Sequence, residues 1–423
     1  MSGGLRRTIT PVQGVALYTG AVVGAGVLLL PGLAASLAGP SSLLAWAFDC
    51  ALGFPLAFTF ARLAARYPDA GGVAAYAAEA FGPAAAAVAG WFYFLTAATG
   101  QIIVPLTGAF YAAAALGWGR GPTFALAAGL LGAAVAANCW GLRLSGRLQL
   151  LLSGGVAALL LAGTLLSLPR VEAARLTPFF PTDLGATGRA AVLIFFAFFG
   201  WEAIAHLAAE FRDPVRYVPR STYWSAALIT LLYLGVGLAT VGTGTYGSPE
   251  VDRVTVAQLI ADSLGTGAGV VAAGLAILIA FGTTNAFVAA VSRLGYALGR
   301  EGHFPAWFAG LSPSGVPVRS VLAIGFYAGA GMALAYTLGW GPEPFLAVPN
   351  SLGIATYLIG TAAGVRLLAG RDRLLAALAC GLCTLVLPFA GASLGVLAAA
   401  AAGALTYRRW RRGGVPPSTA RTA

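Results

Sequence analysis

Two short stretches carry the residues best suited to chemistry. Thr19-Gly20-Ala21-Val22-Val23-Gly24-Ala25-Gly26-Val27 puts three glycines within seven residues, inside an otherwise apolar run. Phe195-Phe196-Ala197-Phe198-Phe199-Gly200-Trp201-Glu202 ends a second apolar run on an acid. Glycine weakens helix propagation by about 1 kcal/mol per residue and opens backbone angles closed to other residues. Both stretches are therefore expected to interrupt their helices. Freed N–H groups at a helix start attract an anion, and freed carbonyls accept from an ammonium group. A zwitterionic amino acid offers both. The competing account of the first stretch is close helix packing, since Gly20 and Gly24 fit a GxxxG pattern. Glu202 has two readings as well, a proton-exchanging carboxyl or a cap for the helix that follows it. Asp49 also lies inside an apolar run, where an ionisable group is costly and a functional candidate. It is expected to pair with an interior Arg or hydroxyl.

Other residue pairs promise less. His206 and Glu210 are four apart and share a helical face, but a zinc site needs a third ligand, and only His303 remains. His206 could still modulate gating by titrating near neutral pH. Cys380 and Cys383 form a CxxC with no second CxxC and no nearby His, so all four cysteines are expected to be small apolar helix residues, with no metal or cofactor.

The elements that must position these residues are membrane helices. The chain has 423 residues, of which 59% are hydrophobic and 9% charged, against about 25% charged in soluble domains. Twelve apolar segments follow one another, at roughly 11–38, 42–64, 84–115, 122–141, 147–168, 187–209, 221–243, 267–298, 318–338, 345–366, 374–389 and 392–407, most near the 20 residues that span a bilayer. The fold class expected is an all-α polytopic membrane protein. The last two segments are separated only by Ala390 and Gly391.

Every basic residue is Arg, 25 in all. With the N-terminus inside and sides alternating, only Arg120, Arg170, Arg175, Arg189 and Arg253 fall outside. Positive charge marks the cytoplasmic side, so both termini are expected in the cytoplasm, and the net charge of +11 serves topology rather than nucleic acid. Five helices separate the start of segment one from segment six. A five-helix unit repeated after an odd number of spans is inverted in the membrane, with interrupted helices one and six facing each other at the midplane. The expected organisation is a cytoplasmic N-terminus (1–10), an inverted 5+5 transport core (11–366), two added helices (367–407) and a basic cytoplasmic tail (408–423), in the inner membrane of a bacterium.

These residues resemble the amino acid–polyamine–organocation superfamily, whose first broken helix reads G-x-x-x-G-x-G. Further stretches agree in order: Arg66-Tyr67-Pro68-Asp69-Ala70-Gly71-Gly72, the Phe198–Glu202 motif, Glu210-Phe211-Arg212-Asp213-Pro214, and Ser292-Arg293 through Arg300-Glu301-Gly302-His303-Phe304-Pro305. Gln13-Gly14, Pro31-Gly32-Leu33-Ala34-Ala35 and the segment from Glu202 to Phe211 are similar to the bacterial methionine and branched-chain exporter branch. The resemblance implies the LeuT-like fold and alternating-access transport of a neutral, apolar amino acid. It places the substrate carboxylate at Val23, Gly24, Ala25 and Gly26, although many members carry Ser where this chain has Ala25. It places the ammonium on carbonyls of Phe196, Phe199 and Glu202, with Phe196 as a gating aromatic, Trp201 beside it, and Gln101 and Phe287 lining the pocket. The family's helix-five Lys corresponds to Val156, so that proton carrier is missing. Thr283 and Thr284 could give hydroxyls to a sodium ion, which leaves H+ and Na+ both open as coupling ion. The partners implied are the substrate and membrane lipid, with the protein a monomer or loose homodimer. The rivals on the same scaffold are an uptake permease, an exchanger or a polyamine carrier; a non-transporting sensor or an intramembrane enzyme is more remote.

Overall fold

The computed structural model describes residues 9–67, 72–141, 146–202 and 211–413. Sixteen α-helices are found among them: α1 Pro11–Val22, α2 Leu30–Ala38, α3 Ser42–Arg66, α4 Val73–Phe81, α5 Pro83–Leu116, α6 Arg120–Cys139, α7 Gly146–Ser167, α8 Leu184–Ile194, α9 Pro214–Thr243, α10 Pro249–Asp252, α11 Thr255–Leu264, α12 Thr266–Arg300, α13 Val318–Leu338, α14 Ala347–Leu367, α15 Gly370–Val386 and α16 Leu394–Gly413. The only β pairing among the described residues is a single bridge between Ile9 and Phe211.

Among the described residues, nine helical stretches are long and apolar enough to cross a membrane. One of them, Gly370–Arg411, contains two helices, α15 and α16, joined by 3-10 turns in which Gly391 leaves helical geometry at φ 57°. The expected hairpin is thus present, with a turn from Leu387 to Ser393 rather than two residues. Another, Leu30–Arg66, fuses α2 with α3. The remaining shortfall comes from the two interrupted segments, in which α1, α2 and α8 are each too short to span; residues 203–210 of the second lie outside the described residues. α1 stops at Val22, a 3-10 turn covers Ala25–Leu28, and α2 resumes at Leu30. α8 passes through a 3-10 turn at Phe195–Phe198 into a break at Phe199–Glu202. Counted this way, the twelve segments expected from hydropathy are the architecture found, a polytopic helical membrane protein of the LeuT-like kind.

Sequence sets the ends of these helices. Thr10 and Gln13 form a reciprocal cap at the start of α1, and Asp183 Oδ1 accepts from the Ala186 N–H 2.6 Å away to open α8. Such caps satisfy N–H groups that have no partner within the helix. The internal repeat is visible at two matching junctions. Short α4 turns at Gly82 (φ 86°, ψ 178°) into the 34-residue α5, and short α11 turns at Gly265 (φ 91°, ψ 168°) into the 35-residue α12. Only glycine adopts these angles without strain. α5 and α12 then pack along each other through the centre of the molecule.

The two breaks touch. Gly200 sits at φ 123°, and a Cβ there would lie 2.3 Å from the Ala21 carbonyl oxygen. Glycine is needed here twice, for the backbone angle and for the close approach. Gly200→Ala is expected to lower the thermal unfolding midpoint in detergent markedly, by about 2 kcal/mol or more of strain and overlap. The control is Gly129→Ala on α6, where a Cβ meets open space and helix propensity favours Ala. Equal melting of the two variants would show that the breaks are not held in contact.

Candidate functional site

A cavity of about 1030 Å³ runs from the breaks to one face of the molecule. Its inner end is lined by Gly20, Ala21, Val23 and Gly24 of the first break, Gly200 and Glu202 of the second, and Thr283 and Phe287 of α12. Its mouth lies at Gly72, Arg300, Glu301, Gly315 and Pro317. Beyond the breaks a small cavity of about 50 Å³ continues between α5 and the two interrupted helices, lined by Gly26, Gln101, Phe196 and Phe199 among others. Past that point the protein is shut. Phe196 covers the small cavity, its ring 2.5 Å from where a Gly26 Cβ would stand. Outside it, Arg253 pairs with Glu343 and lies 4.8 Å from the Phe110 ring centre, while Ser36 Oγ donates to Asp252 at 2.6 Å.

Loop contacts assign the two faces. The mouth face joins Arg62 to Asp372 (3.3 Å), Trp91 to the His303 carbonyl (2.9 Å), and the Arg212 N–H to the Ile9 carbonyl (3.1 Å). The closed face joins Arg170 to Asp262 (3.2 Å) and Arg120 to the carbonyls of Ala335 and Trp340 (2.6 and 2.7 Å). This is the alternation expected from the Arg distribution.

Glu202 is the best-connected group at the breaks. It is buried, and its carboxyl accepts from the hydroxyls of Tyr93 on α5 and Tyr357 on α14 and from the Gly200 N–H at 3.2 Å. Tyr93, like Glu202, lines both cavities. Neither tyrosine was singled out by the sequence. The available signal was a tyrosine deep inside an apolar helix, whose hydroxyl has to find a partner once lipid surrounds the helix.

The other expected residues fall in several places. Val23, Gly24, Gly26, Gln101, Phe196, Phe199, Thr283 and Phe287 all line one cavity or both. Ala25 is fully buried behind them, its N–H donating to Thr283 Oγ1 at 3.4 Å. Thr283 therefore already meets the first break through an N–H, while Thr284 is buried off the cavities with its hydroxyl unpartnered. Val156 faces the large cavity, so the position lacking the family Lys does look onto the pathway. Gln101 Nε2 donates to the Ala97 carbonyl at 3.0 Å, and its Oε1 has no partner. Trp201 turns away, packing by Gly53 and Tyr18. His206 lies outside the described residues. Asp49 corrects an expectation: it is buried on α3, and among the described residues neither of its carboxyl oxygens is hydrogen-bonded and no interior Arg or hydroxyl pairs with it. The ionisable side chains near it are the thiols of Cys50 and Cys383, which are weak donors. All four cysteines are free thiols.

The model of the amino acid permease family matches residues 9–368. The chain belongs to the amino acid permease family. Among its relatives, an uncharacterized amino acid permease YecA of Bacillus subtilis is 37% identical over 369 residues, 87% of each chain. The L-methionine/branched-chain amino acid exporter YjeH of Escherichia coli is 30% identical over 391 residues, covering 92% of this chain and 93% of the relative. The methylthioribose transporter of B. subtilis is 28% identical over 371 residues, 80% and 77% of the two chains. These relatives are named as transporters and permeases, not as enzymes.

In this permease, Tyr93→Phe and Tyr357→Phe each remove one hydroxyl from Glu202 and keep the ring. Each is expected to fold and to lower the initial rate of substrate transport about tenfold, roughly the worth of one hydrogen bond to an acidic group. Rates unchanged in both would reduce the tyrosines to packing.

Proposed function

We propose that this permease is a secondary transporter that moves a neutral, apolar amino acid of the methionine or branched-chain type across the bacterial inner membrane by alternating access. The observation that carries the proposal is the inner end of the cavity. There Gly24 and Gly26 of the first break face Gly200 and Glu202 of the second across a space walled mainly by Val, Phe, Ala and Gly, with Tyr93, Gln101 and Thr283 among them. Backbone N–H groups at the first break suit a carboxylate. Glu202 and the carbonyls of the second break suit an ammonium group. Phe196, Phe199 and Phe287 suit an apolar side chain. One acid at this end is too few for a polyamine.

The Arg-rich mouth face is cytoplasmic in this proposal, with both termini on that side, and the geometry is the inward-open member of the cycle. Residues 11–366 form the transport core, 367–407 the two added helices, and the pathway lies within one chain. Glu202 is the proton carrier, since Val156 leaves the cavity wall without a Lys and Thr283 is already engaged by an N–H. Export is preferred from the YjeH similarity. Methionine is favoured because the named substrates of YjeH and of the methylthioribose transporter share a methylthio group. A second reading has an observation of its own: Gln101 Oε1 and Thr96 Oγ1 stand unpartnered on the small cavity, which would suit a substrate with a polar side-chain end.

The test is flux in proteoliposomes with labelled methionine, leucine, valine and glutamine, with and without pH and sodium gradients, in wild type and Glu202→Gln. Methionine or leucine flux driven by a pH gradient, and lost in Glu202→Gln, is expected. Absence of flux for every neutral amino acid overturns the substrate assignment. Preference for glutamine supports the second reading, and a pH response retained by the variant removes Glu202 as carrier.

A further inference from the structure

A second opening lies on the outside of the bundle. Between α1, α7 and α9 runs a groove of about 710 Å³, walled by Val12 and Val15 of α1, Leu150 and Ala157 of α7, and Trp224 and Leu228 of α9. Of its lining, only Ser153 is shared with the transport cavity, and it opens to the lipid side, where Val12 is 79% and Trp224 55% exposed. Arg220 lines its surface end. Arg220, Trp224 and Leu228 stand at four-residue steps on α9 and so form one stripe about 12 Å long. Arg216, one turn before them, is also exposed. Among the described residues Arg220 makes no ion pair.

We infer that this groove binds one anionic phospholipid, with the phosphate at Arg220 and an acyl chain lying along Trp224 and Leu228 between α1 and α7. The order of residues matches the order of a lipid: a cation at headgroup depth, an amphipathic indole at the interface, then aliphatic side chains. Arg suits a phosphate in particular, through its planar fork of donors.

The site is placed to act on transport. α1 is a wall of the groove on one side and, through Gly20 and Ala21, a wall of the transport cavity on the other. It is tied to α9 by Ser221 Oγ donating to the Pro11 carbonyl (3.0 Å). Towards α7 it has Ser153 Oγ donating to the Gly20 carbonyl at 3.4 Å. An acyl chain in the groove fills the space on the α7 side and holds α1 in the open-mouth position.

The experiment uses the full-length protein in phosphatidylcholine nanodiscs containing phosphatidylglycerol, with bound lipid counted by native mass spectrometry. Wild type is expected to retain one phosphatidylglycerol in preference to phosphatidylcholine. Arg220→Gln should weaken that retention about fivefold, the effect of one basic residue near a membrane surface, and Ala157→Phe should displace the chain. Arg373→Gln, an exposed Arg beside the α14–α15 turn, should change nothing. In proteoliposomes phosphatidylglycerol should alter the transport rate of wild type but not of Arg220→Gln. Retention equal to wild type in Arg220→Gln, or lost equally in Arg373→Gln, overturns the inference whether or not Ala157→Phe folds. Failure here leaves the substrate assignment untouched, since flux in phosphatidylcholine alone tests that separately.

Discussion

Backbone polar groups that leave a helix inside a membrane have to be paired by protein, because lipid offers them nothing. That constraint organises the centre of this permease. Interrupting two helices frees several N–H and C=O groups, and hydroxyls from the surrounding intact helices reach in to meet them. Tyr111 on α5 donates to the Leu28 carbonyl at 2.9 Å and Tyr233 on α9 to Ala197 at 3.0 Å, while Tyr357 on α14 accepts from the Gly200 N–H at 3.1 Å. Thr283 on α12 accepts from Ala25. The breaks are a built socket, with four different helices supplying its pairing.

The same pairing separates what is fixed from what stays available. The carbonyl of Ala197 is taken by Tyr233, and Ala25 is buried behind the break. The groups that face the cavity are those of Val23, Gly24, Gly200 and Glu202. Glu202 then joins the two halves: its carboxyl ties α5 and α14 to the second break, and Gly200 beside it rests against Ala21 of the first. A change at Glu202 is therefore felt at both breaks.

Much of this was legible in the sequence. Glycine spacing in the first break and the aromatic run before Glu202 each have a direct physical meaning, and each predicted an element that is present. What stayed hidden depends on contacts between segments far apart in the chain. Tyr357 lies 155 residues from Glu202, and nothing local distinguishes it from an interfacial tyrosine. Asp49 failed in the opposite sense. A lone acid in an apolar run suggests a partner, but among the described residues none donates to its carboxyl, and the ionisable groups beside it are thiols. Trp201 adjoins the motif in sequence yet points away, because the positive φ of Gly200 turns the chain between Phe199 and Trp201.

The central claim is that the space where the breaks meet holds the substrate and is reached from the Arg-rich face. The direct measurement is labelling of Ala286→Cys, a wall residue of the large cavity on α12, in a background with the four native cysteines replaced. Inside-out vesicles are expected to label readily with a membrane-impermeant maleimide, with methionine or leucine slowing the reaction and right-side-out vesicles labelling poorly. Labelling that is indifferent to every amino acid, or equally fast from the opposite face, would contradict the account.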